Sequence, residues 1–218
     1  GKGDNLSLRE SVKEISKMME IPVPEIYIMD SNAANAFATG RNPQNGKIAF
    51  TKGILKLLDK QELEGVIAHE LAHIKNRDIL ISTVAATIAG VISYVAMIAR
   101  YAAMFGGFSR DRDNNIIEML VFAILAPIIA MFIQLAISRS REYLADETGA
   151  RISKNSKGLA SALKKLSDEA MHSPLKKGNQ ATAHMFIVNP FTAKGLFSLF
   201  STHPPLDERI KRLNELKV

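Results

Sequence analysis

The 218-residue chain contains no cysteine, and this absence excludes several kinds of site at once. Without thiols it has no disulfide framework, no thiolate metal ligand and no cysteine nucleophile. Any zinc must therefore be held by histidine, aspartate or glutamate. Tryptophan is also absent, and no interleaved aromatic and basic residues or glycine-rich RNA motif occur. We therefore expect no nucleic-acid partner, and the net charge of +6 suits an anionic membrane surface.

The strongest chemical signal is an H-E-x-x-H pattern formed by His69, Glu70 and His73. Asp59 followed by Glu62 forms a capping box, which predicts that the helix carrying the pattern begins there. Residues four apart lie on one helix face, so both imidazoles can reach one zinc ion at about 2.0–2.1 Å. Glu70 is then the expected general base. The alternative is an exposed helix on which two histidines coincide, a pattern that chance produces in roughly one such chain in 200.

Two long uncharged stretches follow this helix, at 79–99 and 119–138. Each is long enough as a helix to cross the roughly 30 Å hydrocarbon core of a bilayer. Pro127 is expected to kink the second stretch, and Gln134 to face another helix. These features predict a transmembrane helical hairpin with residues 100–118 as its connector. The alternative is a buried helical hairpin in a soluble domain.

A small sheet is predicted before the histidine helix. Residues 25–30 have strand character, and the pair Asn45-Gly46 favours a hairpin that joins antiparallel strands at 35–39 and 47–51. The first of these two strands is rich in small residues, as suits an edge strand: Asn35, Ala36, Phe37, Ala38 and Thr39. An ordinary surface hairpin explains the same pattern.

The last third of the chain carries further candidates. Glu142 and Asp146 are spaced to share one face of a predicted helix, although paired surface carboxylates are common. Residues 167–202 give mixed signals, and we expect a long, partly mobile loop region that contains His172 and His184. Two prolines, Pro204 and Pro205, then begin a closing helix.

Together these motifs resemble the HtpX family of membrane-embedded zinc metalloproteases, a group similar to the CAAX-prenyl endopeptidases. The resemblance covers nearly the whole chain, and its motifs occur in one order: NAFATG at 35–40, HELAHIKNRD at 69–78, the two apolar stretches, SRSREYLAD at 138–146 and THPPLDERI at 202–210. The family usually carries two hydrophobic spans before the protease region. They are absent here and the chain starts without methionine, so we expect a piece of a longer protein.

The resemblance implies one zinc ion per chain, with His69 and His73 as ligands, Glu142 as the third ligand and Glu70 as the catalytic base. Asp146 would orient a ligand histidine by accepting its other N–H. Two histidines and one glutamate leave a fourth position for water, as in catalytic zinc sites.

Contacts to the substrate or the transition state are open among several residues. His203, Arg209 and Tyr143 are candidate oxyanion donors, and a substrate strand could add to the edge at 35–39. We therefore expect substrates to be unfolded proteins or membrane proteins in extended conformation. His203 is also the alternative third ligand, because the prolines behind it stiffen the backbone.

The expected fold is mainly α with a small β-sheet: a zincin-like (gluzincin) metalloprotease domain interrupted by a transmembrane helical hairpin. Residues 1–78 would form its N-terminal half, 79–138 the two membrane helices and 139–218 the C-terminal half. Three of the 28 Lys and Arg residues lie in the stretch that joins the spans, which leaves 25 on the active-site side. The positive-inside rule therefore predicts a multi-pass protein of the cell (inner) membrane whose active site faces the cytoplasm.

The expected function is cleavage of misfolded or damaged membrane proteins, in protein quality control and the stress response. A dedicated processing protease for one membrane substrate is the alternative within the enzyme class. A non-catalytic zinc-binding membrane scaffold is the alternative outside it. The intact Glu70 argues against a scaffold, because a scaffold does not need the base.

Overall fold

The computed structural model describes residues 2–105, 113–172 and 203–218. Within these ranges the chain is mainly helical and has one small sheet. The elements in chain order are α1 (Lys2–Met18), β1 (Glu25–Met29), β2 (Ala36–Thr39), β3 (Lys47–Thr51), α2 (Lys52–Leu57), α3 (Lys60–Lys75), α4 (Asp78–Phe105), α5 (Asp113–Ser153), α6 (Ser156–His172) and α7 (Leu206–Glu215). The loop predicted at 167–202 is wrong at its start, because α6 continues to His172. The rest of it, including His184, lies outside the described residues.

The sheet has the strand order β1-β3-β2, with β1 parallel and β2 antiparallel to β3. The antiparallel pairing predicted between the second and third strands is confirmed, and β2 lies at an edge. The predicted turn is wrong, because Gly46 has a φ of −65° and the link contains a short 3-10 helix, Pro43–Asn45. The reversal of the chain instead uses Gly40, whose φ of +141° suits a residue without a Cβ atom.

The core lies between the sheet and helices α1, α3 and α6. Helix α3 begins at the predicted capping box, in which Asp59 and Glu62 each accept the other's backbone N–H. A Cβ atom on Gly65 would lie 2.6 Å from the backbone nitrogen of Leu159 in α6. One on Gly149 in α5 would lie 2.9 Å from the nitrogen of His69. The backbones of α5 and α6 therefore pack directly against helix α3. This packing fixes the direction of the face that carries the histidines.

The chain divides into two compact units, one of residues 1–80 and 139–218 and the other of residues 81–138. The second unit contains the apolar parts of α4 and α5. Two helical segments, Asp78–Ala102 and Glu118–Ser153, are long and apolar enough to cross a membrane, and only 6% and 11% of their most apolar windows are buried. These windows are therefore mostly exposed in the structure, unlike the core helix of a soluble domain.

Candidate metal and catalytic site

Three ligand atoms converge in the first unit. The Nε2 atoms of His69 and His73 lie 3.1 Å apart. One Glu142 carboxylate oxygen lies 3.7 Å from the His69 nitrogen, and the other lies 3.7 Å from the His73 nitrogen. Ligand atoms bound tetrahedrally at about 2.0–2.1 Å are themselves about 3.3 Å apart. The observed spacing therefore fits three ligand atoms of one ion. Among the described residues, these three form the cluster that could hold a metal ion.

Helical spacing brings the four predicted residues together. His69 and His73 lie one turn apart on α3, and Glu142 and Asp146 lie one turn apart on α5. The close backbone contact at Gly149 brings the two helices together beside His69. The pair of carboxylates, a weak signal in the sequence, thus faces the pair of histidines.

Both histidines have a carboxylate close to their other ring nitrogen. The Nδ1 atom of His69 lies 2.9 Å from Asp146, and that of His73 lies 2.7 Å from Asp78. A carboxylate that accepts the Nδ1–H proton leaves the Nε2 lone pair for a metal. The role of Asp78 was not predicted from the sequence, although Asp78 closes the HELAHIKNRD segment five residues after His73.

An arginine pairs with each of these carboxylates. Arg209 is 1% exposed, and it donates two hydrogen bonds of 2.7 Å to Asp146. Its Nη1 atom also lies 3.3 Å from Glu142. Burial opposes the charge, but the surrounding carboxylates outweigh it and raise the pKa of Arg209 above its ordinary value. Arg141 pairs with one oxygen of Asp78.

Glu70 is buried on α3 between the two histidines, and it accepts a hydrogen bond from the backbone N–H of Ala38 in β2. Burial raises the pKa of Glu70, although the neighbouring histidines and this hydrogen bond oppose the rise. A carboxylate with a raised pKa can both accept and return a proton near neutral pH. The contact also brings the edge strand beside the metal cluster.

The metal-free site favours a proton on His73. Burial would lower its pKa, but the hydrogen bond to Asp78 and the nearby Glu142 and Glu70 raise the pKa of His73 to about 9. A metal ion that binds the Nε2 atom of His73 must therefore displace a proton from this residue.

The remaining predicted residues lie at different distances from this centre. His203 Nδ1 is 3.4 Å from Glu142, close to the three-ligand cluster but outside it. Tyr143 instead contacts α7, where its ring lies 3.8 Å from the Arg212 guanidinium and its hydroxyl bonds Glu208. The side chain of His172 lies outside the described residues.

The predicted edge strand is one residue shorter than expected. Asn35 precedes β2, and its backbone N–H donates to the Thr51 hydroxyl at 2.9 Å. Within β2, Ala36 is buried, Phe37 and Ala38 are half-buried and Thr39 is exposed.

Comparison with known proteins identifies the family of this chain. Peptidase family M48 matches residues 3–217. A protease HtpX homolog from Thermococcus kodakarensis is 55% identical over 207 residues, covering 94% of this chain and 71% of the relative. Another from Thermodesulfovibrio yellowstonii is 56% identical over 207 residues, covering 94% and 73%. These relatives confirm the resemblance to the HtpX family.

A solved structure is similar in fold. The crystal structure of S. mikatae Ste24p matches with a TM-score of 0.65 at 20% identity, covering 95% of this chain. The chain spans half the length of that protein, and the likeness concerns the fold alone. The match across the family and the two close relatives carry the assignment: the chain belongs to peptidase family M48.

Proposed function

We propose that this chain is a membrane-embedded, zinc-dependent endopeptidase that cleaves misfolded or damaged membrane proteins. The observation that carries the proposal is the convergence of His69, His73 and Glu142 beside a buried Glu70. Two imidazoles and one carboxylate without a thiolate are the ligand set of a hydrolytic zinc site. When bound, zinc supplies Lewis-acid chemistry, since it polarises the scissile carbonyl and acidifies a water molecule.

Glu70 acts as the base in this proposal. Its carboxylate accepts a proton from the attacking water and delivers it to the leaving amine as the carbon–nitrogen bond breaks. The Ala38 N–H holds the carboxylate, and burial raises the pKa of Glu70, which favours the return of the proton. His203, which approaches Glu142 from the start of α7, is the candidate for the oxyanion or substrate contact. Arg209 is committed to Asp146 and Glu142, which favours a positioning role for it.

The substrate is proposed to add as a strand along β2. Successive residues of a strand direct their N–H groups to opposite edges, and the Ala38 N–H that reaches Glu70 marks the edge away from β3. A chain laid along this edge would run beside the base and the metal cluster. Main-chain pairing is insensitive to sequence, which suits unfolded substrates.

The proposed architecture is a zincin-like (gluzincin) domain made from residues 1–78 and 139–218, interrupted by a transmembrane hairpin at 79–138. The exposed apolar side chains of the second unit support a bilayer around it. The few cations of the connector support an external connector and a cytoplasmic active site in the cell membrane. Removal of damaged membrane proteins during stress is the role we propose.

The Glu70→Gln variant tests the proposal. It should keep one zinc per chain, because no ligand is lost, while casein hydrolysis falls to the level seen with a chelator. Glu64→Gln is the matched control on the same helix, since Glu64 pairs with Lys60 and Ser11. Substantial cleavage by Glu70→Gln would remove this residue from its role as base.

The alternatives give other outcomes in the same system. A zinc-loaded wild-type chain that cleaves no protein substrate would favour the scaffold. Proteins trapped by Glu70→Gln in cell membranes can be identified by mass spectrometry. A single trapped protein would favour a dedicated processing protease, whereas many unrelated ones would support quality control.

A further inference from the structure

The turn between α3 and α4 has an unusual conformation. Only Asn76 and Arg77 separate the two helices, and Arg77 has a φ of +54°. This left-handed conformation is uncommon for a residue that carries a Cβ atom. Contacts from outside the turn can offset the cost of this conformation.

Arg141 of α5 supplies these contacts. Its Nη2 atom donates to the carbonyl of Asn76 at 3.0 Å, and its guanidinium pairs with Asp78. The Asn76 carbonyl lies at the C-terminal end of α3, where the helix dipole is negative and favours a cation. The side chains of Arg141 and Asp78 are 18% and 7% exposed, so water screens their pairing only in part. One guanidinium thus binds the end of one helix and the first residue of the next.

The other oxygen of Asp78 accepts the Nδ1–H of His73 at 2.7 Å. Arg141, Asp78 and His73 therefore form a continuous series that ends at a nitrogen of the metal cluster. The same chemical order occurs at the other histidine, where Arg209 binds Asp146 and Asp146 faces His69. Each ligand histidine thus has a carboxylate behind it and an arginine behind the carboxylate.

We propose that Arg141 is a positioning residue for the metal centre, acting on His73 through Asp78. The inference rests on the proposed function as a zinc enzyme. Without Arg141, Asp78 would lose its counter-charge and the left-handed turn would lose its support. The ring of His73 would then sample several orientations, and zinc would bind a site that is no longer preorganised. Loss of such outer partners lowers metal affinity by about 10–100-fold.

The test measures zinc affinity by competition with a chelator for the full chain in detergent micelles. Arg141→Gln should weaken zinc binding by about 10–100-fold. Arg141→Lys keeps the charge without the planar fork, so its affinity should lie between those of wild type and Arg141→Gln. Arg151→Gln is the matched control on the same helix, because Arg151 pairs with Glu147 at the surface and should bind zinc like wild type.

Two further measurements separate positioning from general stability. Cobalt-substituted Arg141→Lys should show a changed visible spectrum, since the spectrum reports ligand geometry, while its circular dichroism stays that of wild type. The double variant Asp78→Ala with Arg141→Gln should lose less affinity than the product of the two single losses, because both changes remove contacts in the same chain from Arg141 through Asp78 to His73.

Three results would overturn the inference. The first is a zinc affinity of Arg141→Gln within twofold of wild type. The second is a loss of zinc affinity in the double variant equal to the product of the two single losses. The third is an Arg141→Lys variant with the zinc affinity and cobalt spectrum of wild type. The last result decides the matter if Arg141→Gln does not fold. Failure of the proposed function is a separate outcome, since it would appear as a wild-type chain that does not bind zinc or cleave protein.

Discussion

Replacing Arg209 with methionine should destabilise the metal-free protein by about 3–5 kcal/mol. The guanidinium is almost completely buried, with two 2.7 Å hydrogen bonds to Asp146 and a 3.3 Å approach to Glu142. Methionine fills a similar volume but removes the guanidinium that pairs with the two buried carboxylates. The loss is large against a typical folding stability of about 5–15 kcal/mol.

Two companion variants separate charge from geometry. Arg209→Lys keeps a cation but loses the planar fork that binds Asp146 with two parallel bonds, so it should lose less than Arg209→Met. Combining Arg209→Met with Asp146→Leu removes both partners of the ion pair. The double variant should therefore be more stable than Arg209→Met alone. A coupling energy of about 0.5–3 kcal/mol between the two positions is expected.

The assay is guanidinium unfolding of the metal-free chain in micelles, followed by circular dichroism. Arg212→Met is the control one turn away on α7, because Arg212 is half-exposed and pairs with Glu208 at the surface. The Arg212→Met substitution should lower the free energy of unfolding by about 1 kcal/mol or less. If Arg209→Met loses no more stability than Arg212→Met, the buried ion pair does not hold α7 against α5 and the reasoning is refuted.

Four further predictions concern the metal, the substrate and the membrane. Glu142→Ala should lose zinc and activity together while His203→Ala keeps zinc with a changed rate, and metal analysis giving the reverse would make His203 the third ligand. Zinc affinity should rise with pH up to about 9, because below that pH the ion displaces the proton of His73; a flat profile in chelator competition would contradict this. Proline at Ala36 should lower casein hydrolysis with zinc still near one per chain, because it removes a backbone donor, and full activity would exclude substrate docking there. Cysteine placed at Ser109 should react with an impermeant reagent on intact cells, and labelling only after permeabilisation would reverse the proposed topology.

Local signals in the sequence predicted much of the fold. The capping box at Asp59 and Glu62 specified the start of α3, because both partners lie within one helical turn. The antiparallel pairing of β2 with β3 was also predictable, since the two strands are close in sequence. The parallel pairing of β1 with β3 was not, because β2 lies between them in sequence and a parallel pair has no hairpin signal.

The environment of the site was harder to predict than its ligands. Helical spacing paired Glu142 with Asp146 as it paired the histidines, and the resemblance to the family assigned their roles. Arginines are usually solvated, so a sequence does not show that Arg209 is buried. It was therefore considered as an oxyanion donor, whereas its contacts are with carboxylates. Asp78 was missed because its role depends on how the chain turns after α3.

The charges around the histidines link metal binding to the ionisation of Glu70, the proposed base. Three carboxylates and two guanidinium groups surround the imidazoles: Asp78, Glu142, Asp146, Arg141 and Arg209. Without a metal, this excess of one negative charge is balanced by a proton on His73, and burial raises the pKa of Glu70. A divalent ion that displaces the His73 proton leaves an excess of one positive charge. Ionisation of Glu70 restores neutrality, because a buried site avoids net charge. The metal-loaded site thus favours the carboxylate form of Glu70, which is the form that accepts a proton from water.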